Sequence, residues 1–317
     1  MNLLTFYKKF GIYVFLAAVF LFFAVAAPDF LSASNVINIL RQVSMFGIVV
    51  IGVTIVMIGG GMDLSVGAQM AVDGMILGFL MVNLKVNPFL AALIVIGVGC
   101  LFGILNGVVA IKLNIMPIIV TLGTMLILQG TAYLITGGYP ITGMPKSFIP
   151  IGQGYVGVVP VPVLIFLTFI LFGWVVMNKT YLGRFVYALG GNREAARLAG
   201  INTDRLTVLV YTFCGFAASI AALIMVGRTN ASQPSAGSSY AFDCMTAACL
   251  GGVSIMGGEG KISGAIVGVI ILGILDNGLI LMSVNSNFQS VVKGTILLVA
   301  VAIDCYQAKS KKMASAA

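Results

Sequence analysis

Ten apolar runs, nearly all of a length to cross a bilayer, take up most of this 317-residue chain. They fall at 10–28, 36–58, 64–83, 89–111, 117–136, 159–177, 207–226, 243–257, 262–282 and 289–305. An α-helix needs about 20 consecutive apolar residues to span a hydrocarbon core of ~30 Å. Inside that core every backbone N–H and C=O must be satisfied within a helix or a closed barrel. Barrel strands alternate apolar and polar residues over ~10 positions. These runs are longer and apolar on all sides, so helices are predicted. Charged residues make up 8% of the chain and apolar ones 60%. Soluble domains carry about 25% charged residues, so this chain cannot clothe a water-facing surface. The predicted fold is all-α, a polytopic transmembrane helix bundle of ten spans in one membrane domain over 1–317. The run at 243–257 is short and Gly-rich and reads as a broken or partial span.

Orientation follows from Lys and Arg, which accumulate on the cytoplasmic side of membrane proteins. With the N-terminus inside, the inside segments hold Lys8, Lys9, Lys112, Lys179, Arg184, Arg193, Arg197, Arg205, Lys261, Lys309, Lys311 and Lys312. The outside segments hold only Arg41, Lys85, Lys146 and Arg228, and Lys293 lies within the last span. The bias selects N-in and C-in. It places residues 178–206 in the cytoplasm and two turn-rich loops, 137–158 and 227–242, outside. The net charge of +8 is thus a matter of topology, and no basic patch interleaved with aromatics points to nucleic acid. Lys8 and Lys9 before the apolar run ending Ala24-Val25-Ala26 imitate a secretory signal, but the chain that follows is itself membrane-spanning, so an uncleaved first span is expected. The chain has no His, the usual general base and commonest metal ligand. Cys100, Cys214, Cys244, Cys249 and Cys305 form no CxxC pair and read as packing residues, so no metal site is expected. Val53 to Gly60 and Val253 to Gly258 echo each other weakly, an echo as compatible with chance as with the internal repeats of transporters.

The longest polar stretch contains Asn192-Arg193-Glu194-Ala195-Ala196-Arg197-Leu198-Ala199-Gly200. Asn192 is a good N-cap, the following residues are strong helix formers, and Gly200 suits a C-cap. A helix of about two turns is predicted, with Ala195, Leu198 and Ala199 as a small apolar stripe. So short a helix needs a surface to dock on, and the bilayer interface is one candidate. Glu194-Ala195-Ala196 followed by Gly200 resembles the EAA-x-x-x-G pattern of the cytoplasmic coupling loop in permeases of ATP-binding-cassette importers. The wider string from Leu182-Gly183-Arg184 through Tyr187-Ala188-Leu189-Gly190-Gly191-Asn192 to Ile201-Asn202 resembles the ribose-type permease family. So do Gly61-Met62-Asp63-Leu64-Ser65-Val66-Gly67, with Met62 for the usual Ile, and Leu250-Gly251-Gly252 with Gly257-Gly258-Glu259-Gly260, where Lys is commoner than Glu259. Gln289 with Val292-Lys293-Gly294 is similar to the start of that family's last span.

The resemblance implies the permease subunit of a bacterial inner-membrane importer for a ribose-like monosaccharide, or for another sugar-like solute such as an autoinducer-type furanose. It implies a second permease, identical or closely related, a cytoplasmic ATPase that carries ATP and Mg, and a periplasmic sugar-binding protein. Arg193, Glu194, Ala195, Ala196, Arg197, Leu198 and Gly200 would form the ATPase-coupling element, and 137–158 and 227–242 the periplasmic loops. The chain itself is expected to bind no cofactor and to catalyse no reaction. Gly260-Lys261 fails as a phosphate-binding loop, because Ile255 stands where Gly is needed and Ile262 where Ser or Thr is needed.

Ionisable side chains in a span normally face protein or water. Asp63 and Ser65, at the Gly-rich opening of the third span, read as helix-capping or gating residues. Asp73 lies mid-span, where the resembled family more often has an uncharged residue. It is therefore a candidate for solute preference, or else a buried polar group paired with Lys293. Asn106, Gln129, Asp276, Asn277 and Lys293 complete the pore candidates, with helix–helix hydrogen bonding as the alternative for the amides. The carboxylates also leave a secondary transporter open, although the Glu194-to-Gly200 element would have no role in one. An intramembrane enzyme would need a nucleophile–base constellation, which is not readable.

Overall fold

A computed structural model describes residues 3–316, with side chains for 11–302 and 304–306. The side chains of Lys8, Lys9, Lys309, Lys311 and Lys312, which enter the charge count, lie outside the described residues.

The long helices are α1 (Leu3–Ala26), α2 (Ala33–Ile58), α3 (Val66–Gly78, prolonged by a π-helical turn Phe79–Asn83), α4 (Pro88–Lys112), α5 (Pro117–Leu134), α7 (Val161–Lys179), α10 (Thr203–Thr229), α12 (Ile262–Leu281) and α13 (Ser286–Ala316). Shorter helices are α6 (Pro150–Gln153), α8 (Tyr181–Gly191), α9 (Arg193–Leu198) and α11 (Tyr240–Leu250). Proline in the first turn, where its missing N–H is no loss, starts α4, α5, α6 and α7. Ser32 and Asn87 cap α2 and α4 by accepting from Asn35 N–H and Phe89 N–H. The chain is therefore an all-α membrane bundle. Among the described residues eight helices are long and apolar enough to cross a membrane. The described apolar part of α1 (Gly11–Ala26) and the 11-residue α11 are shorter. The run at 243–257 is thus not one helix: α11 stops at Leu250, and an irregular segment with positive φ at Gly252, Gly257, Gly258 and Gly260 leads to α12.

Both loops expected to be turn-rich contain paired strands. β1 (Ile141–Thr142) pairs antiparallel with β4 (Ala231–Ser232), and β2 (Tyr155–Val156) with β3 (Val159–Pro160). Loop backbone packed against the bundle must find partners, and short strands supply them. Arg41 on α2 fastens this layer, donating to Gln153 O at 2.8 Å with its guanidinium 4.8 Å from the Tyr155 ring centre.

Every residue of α2 from Val43 to Ile58 is buried, as is nearly all of α3. These helices and α10 form the centre, while α4, α5, α7 and α13 turn most of their apolar residues outward. α10 packs on α3 and α4 as α2 packs on α11 and α12, and α3 touches α5 as α11 touches α13. α2 and α10 run antiparallel: Gly52 faces Cys214 and Ala217, whereas Gly61, further along, faces Tyr211. The two halves are thus related by an approximate two-fold turn. The counterpart of α2 is α10, so the echo between Val53–Gly60 and Val253–Gly258 does not mark repeat positions. Of the cysteines, Cys214, Cys244 and Cys249 are buried, Cys100 partly so, and Cys305 exposed.

Between α4 and α10 the approach is as close as backbones allow. Gly99, Gly103 and Gly107 recur every fourth residue on α4, and a Cβ at each would overlap Ser219, Tyr211–Thr212 or Val208 of α10. Small residues at helical spacing permit this contact without the hydrophobic driving force that water provides.

Candidate functional site

The polar side chains form three separate groups along the bundle and one exposed element at its end. The first group lies where α2 breaks. Asp63 Oδ1 accepts from the N–H and hydroxyl of Ser65 at 2.9 and 2.6 Å. Asn106 on α4 donates to Ser65 Oγ at 2.9 Å, and Thr124 on α5 donates to Asn106 Oδ1 at 2.7 Å. Tyr211 on α10 and Thr121 on α5 both donate to the Met62 carbonyl. Asp63 therefore turns the backbone before α3, and through Ser65 joins the break to α4 and α5. Asp63, Ser65 and Asn106 are all buried.

In the middle of the bundle lies Asp73, fully buried, with Oδ2 accepting from Ser219 on α10 at 2.7 Å and from Gln69, one turn earlier, at 3.3 Å. Gln69 also donates to Gly215 O at 2.7 Å. Lys293 is not its partner: Asp73 on α3 is closed in by Ser219 of α10 and Gly99 of α4, whereas Lys293 on α13 binds Asp243 of α11 at 3.1 Å and Asp276 of α12 at 2.9 Å.

That ionic triple forms the third group, in which Ser239 also donates to Asp243 at 3.0 Å. It lines a cavity of about 190 Å3 with Gln42, Val43, Phe46, Tyr240 and Gly273. Asn277, next to Asp276, is committed elsewhere. Its amide and that of Asn35 exchange reciprocal hydrogen bonds of 2.9 and 2.8 Å, tying α12 to α2. Gln129 is exposed on the outward face of α5, away from all three groups.

The exposed element is α9. Asn192 caps it by accepting from Ala195 N–H at 3.0 Å, and Gly200, with φ +86°, follows the last turn. Leu198 is 85% exposed, and Ala195 and Ala199 are exposed beside it. Only Ala196 turns inward and is buried. Arg197 pairs with Glu194 at 2.9 Å, and Arg193 reaches Asp204 in the first turn of α10 at 2.9 Å. The preceding helix, α8, is held firmly: Val186 and Leu189 are buried and Tyr187 donates to Gly260 O at 2.8 Å. Burial lifts the Tyr187 phenol above its ordinary value, keeping it a neutral donor.

At the end of α8 three chain segments meet without side chains between them. Gly258 N–H donates to Ile58 O at 2.8 Å. A Cβ at Gly190 would overlap that same carbonyl, and one at Gly257 or Gly258 would press on Gly60 or Gly191. The breaks after α2 and after α11 thus bear directly on the helix that carries α9.

Several participants were not anticipated. Asp243, Ser219, Gln69 and Gln42 sit in apolar runs, the first three with partners up to 150 residues away, and nothing local marks them. The four-residue spacing of Gly99, Gly103 and Gly107 was a legible signal of close helix contact.

Fold and polar groups define a polytopic membrane helix bundle with charged and amide side chains buried in its interior. The match to known proteins is specific: residues 35–301 match the family described as branched-chain amino acid transport system / permease component, and the chain belongs to that family. It is 40% identical to a ribose import permease protein of Haemophilus influenzae over 288 residues, 90% of this chain and 89% of the relative. It is 38% identical to the ribose import permease protein of Bacillus subtilis, covering 94% of this chain and 92% of the relative. With the galactose/methyl galactoside import permease protein of Escherichia coli it shares 34% identity over 98% of both chains. No solved structure matches.

Proposed function

We propose that this chain is the membrane-spanning subunit of an ATP-driven importer of monosaccharides in a bacterial inner membrane. The solute class rests on relatives named for ribose and galactose import that align over nearly the whole chain. The family description names branched-chain amino acids instead, and the sugar reading is preferred because the similarity to sugar permeases is full-length.

The observation that carries ATP coupling is α9, a capped two-turn helix whose apolar stripe of Ala195, Leu198 and Ala199 faces away from its own protein. Such a stripe fits a groove on a partner. The proposed partner is a cytoplasmic ATPase that binds ATP and Mg. A second permease copy and a periplasmic binding protein complete the assembly. Support for an N-in, C-in topology comes from how the ends gather: Gly60, Gly190–Gly191 and Gly257–Gly258 lie together at one end, while β1, β4 and the Arg41 contact lie together away from them.

Closure of the ATPase would displace α9, and α8 would follow because Asn192 joins the two. The glycine junction would pass the motion to both breaks, and the break at Asp63–Ser65 would pass it through Asn106 to α4 and Thr124 to α5. Asp63, Ser65 and Asn106 are therefore proposed as transmission residues. Cross-linking tests the arrangement. Leu198→Cys, in a chain carrying Cys305→Ser, is expected to cross-link to the ATPase and to resist impermeant maleimide added outside intact cells. Labelling from outside with no cross-link would refute it.

A further inference from the structure

The cavity between α2, α11, α12 and α13 has no part in the coupling route. At about 190 Å3 it far exceeds the ~10–15 Å3 that admits one water. Its charged residues are not sealed: the side chains of Lys293, Asp243 and Asp276 keep 18%, 12% and 20% of their exposure. A purely structural ion triple in a membrane would close over its charges, because a charge there must meet protein or water. Here two carboxylates and one ammonium face open space. Among the described residues, neither the Gln42 amide nor the Tyr240 hydroxyl makes a hydrogen bond, and both line the same space. Phe46 and Tyr240 form one wall, with ring centres 5.7 Å apart at 83°.

We propose that this cavity is a binding subsite for a neutral polyhydroxylated ring, a monosaccharide in transit. The carboxylates of Asp243 and Asp276 accept from ring hydroxyls, while Lys293 and Gln42 donate to them. Hydrogen bonds with one charged member are the stronger kind. The Phe46–Tyr240 wall takes the ring's C–H face. An α-amino acid fits poorly, because its carboxylate would have to compete with two aspartates for one lysine. This inference rests on the monosaccharide-import reading and names where on this chain the solute stops.

Equilibrium binding of tritiated ribose, galactose and xylose to the permease–ATPase complex in nanodiscs, without binding protein, tests it, with leucine as control. Saturable binding of at least one sugar, weakened about tenfold or more by Gln42→Ala and by Asp276→Asn, is expected. Leucine should not compete. Gln42 makes no hydrogen bond among the described residues, so its variant decides the matter even if Asp276→Asn fails to assemble. Absence of saturable sugar binding, or unchanged affinity in Gln42→Ala, would overturn the subsite. In that event monosaccharide uptake by vesicles bearing the full importer tells the two claims apart: uptake without binding here removes the subsite alone, and no uptake removes the import reading.

Discussion

At the scale of single residues, the carboxylates that the apolar spans carry are not equivalent. Asp73 is enclosed by α3, α4 and α10, with Ser219 and Gln69 as donors. An amide oxygen can accept from the same two donors. Asp73→Asn is therefore expected to leave the pattern of solutes taken up unchanged and to shift stability by no more than ~1 kcal/mol. Asp73→Leu should destabilise by ~1–3 kcal/mol, because two buried donors lose their acceptor. Thermal melting in nanodiscs and uptake of a monosaccharide panel check both, and a changed solute order in Asp73→Asn would return this residue to the pathway. Its position in a span was plain from the sequence. Its enclosure was not, since Ser219 is 146 residues away and nothing near Asp73 encodes it. The same distance hid the partner of Lys293, which the sequence left open as Asp73 and the packing gives as Asp243 and Asp276.

At the scale of elements, helix ends were legible because their signals are local. Asn192 and Gly200 bracket α9 where capping chemistry puts them, and prolines open α4, α5 and α7. The run at 243–257 reads as a broken span and is one: α11 ends at Leu250, and the glycines that follow carry the hydropathy of a span but the backbone of a turn. Which face of α9 would be free was a matter of packing, and the answer leaves Leu198 outward. Leu198→Asp is accordingly expected to change stability by less than ~0.5 kcal/mol, as exposed substitutions do, yet to abolish transport-coupled ATP hydrolysis. Gly258→Ala meets both a positive φ of +73° and the backbone of Gly191. It should cost about 1–3 kcal/mol and let ATP hydrolysis proceed with uptake reduced. Gly103→Leu would force α4 from α10 and should lower the yield of folded protein, read by size-exclusion chromatography, since overpacking costs at least ~1–3 kcal/mol even where side chains can adjust.

At the scale of the whole molecule, the chain is two antiparallel halves that share the α2–α10 contact, with a glycine junction at one end and a paired-strand layer away from it. Hydropathy made the bundle legible, because in lipid a helix is the solution each apolar run must adopt. The two-fold relation was not legible, since it resides in which helices touch. The most direct test of the central claim is uptake of labelled ribose or galactose by proteoliposomes containing the permease, its ATPase and the binding protein. Saturable uptake should require ATP, survive collapse of proton and sodium gradients, and vanish in Leu198→Asp with the complex still assembled. Uptake that follows an ion gradient without the ATPase, or that accepts leucine and no sugar, would contradict it.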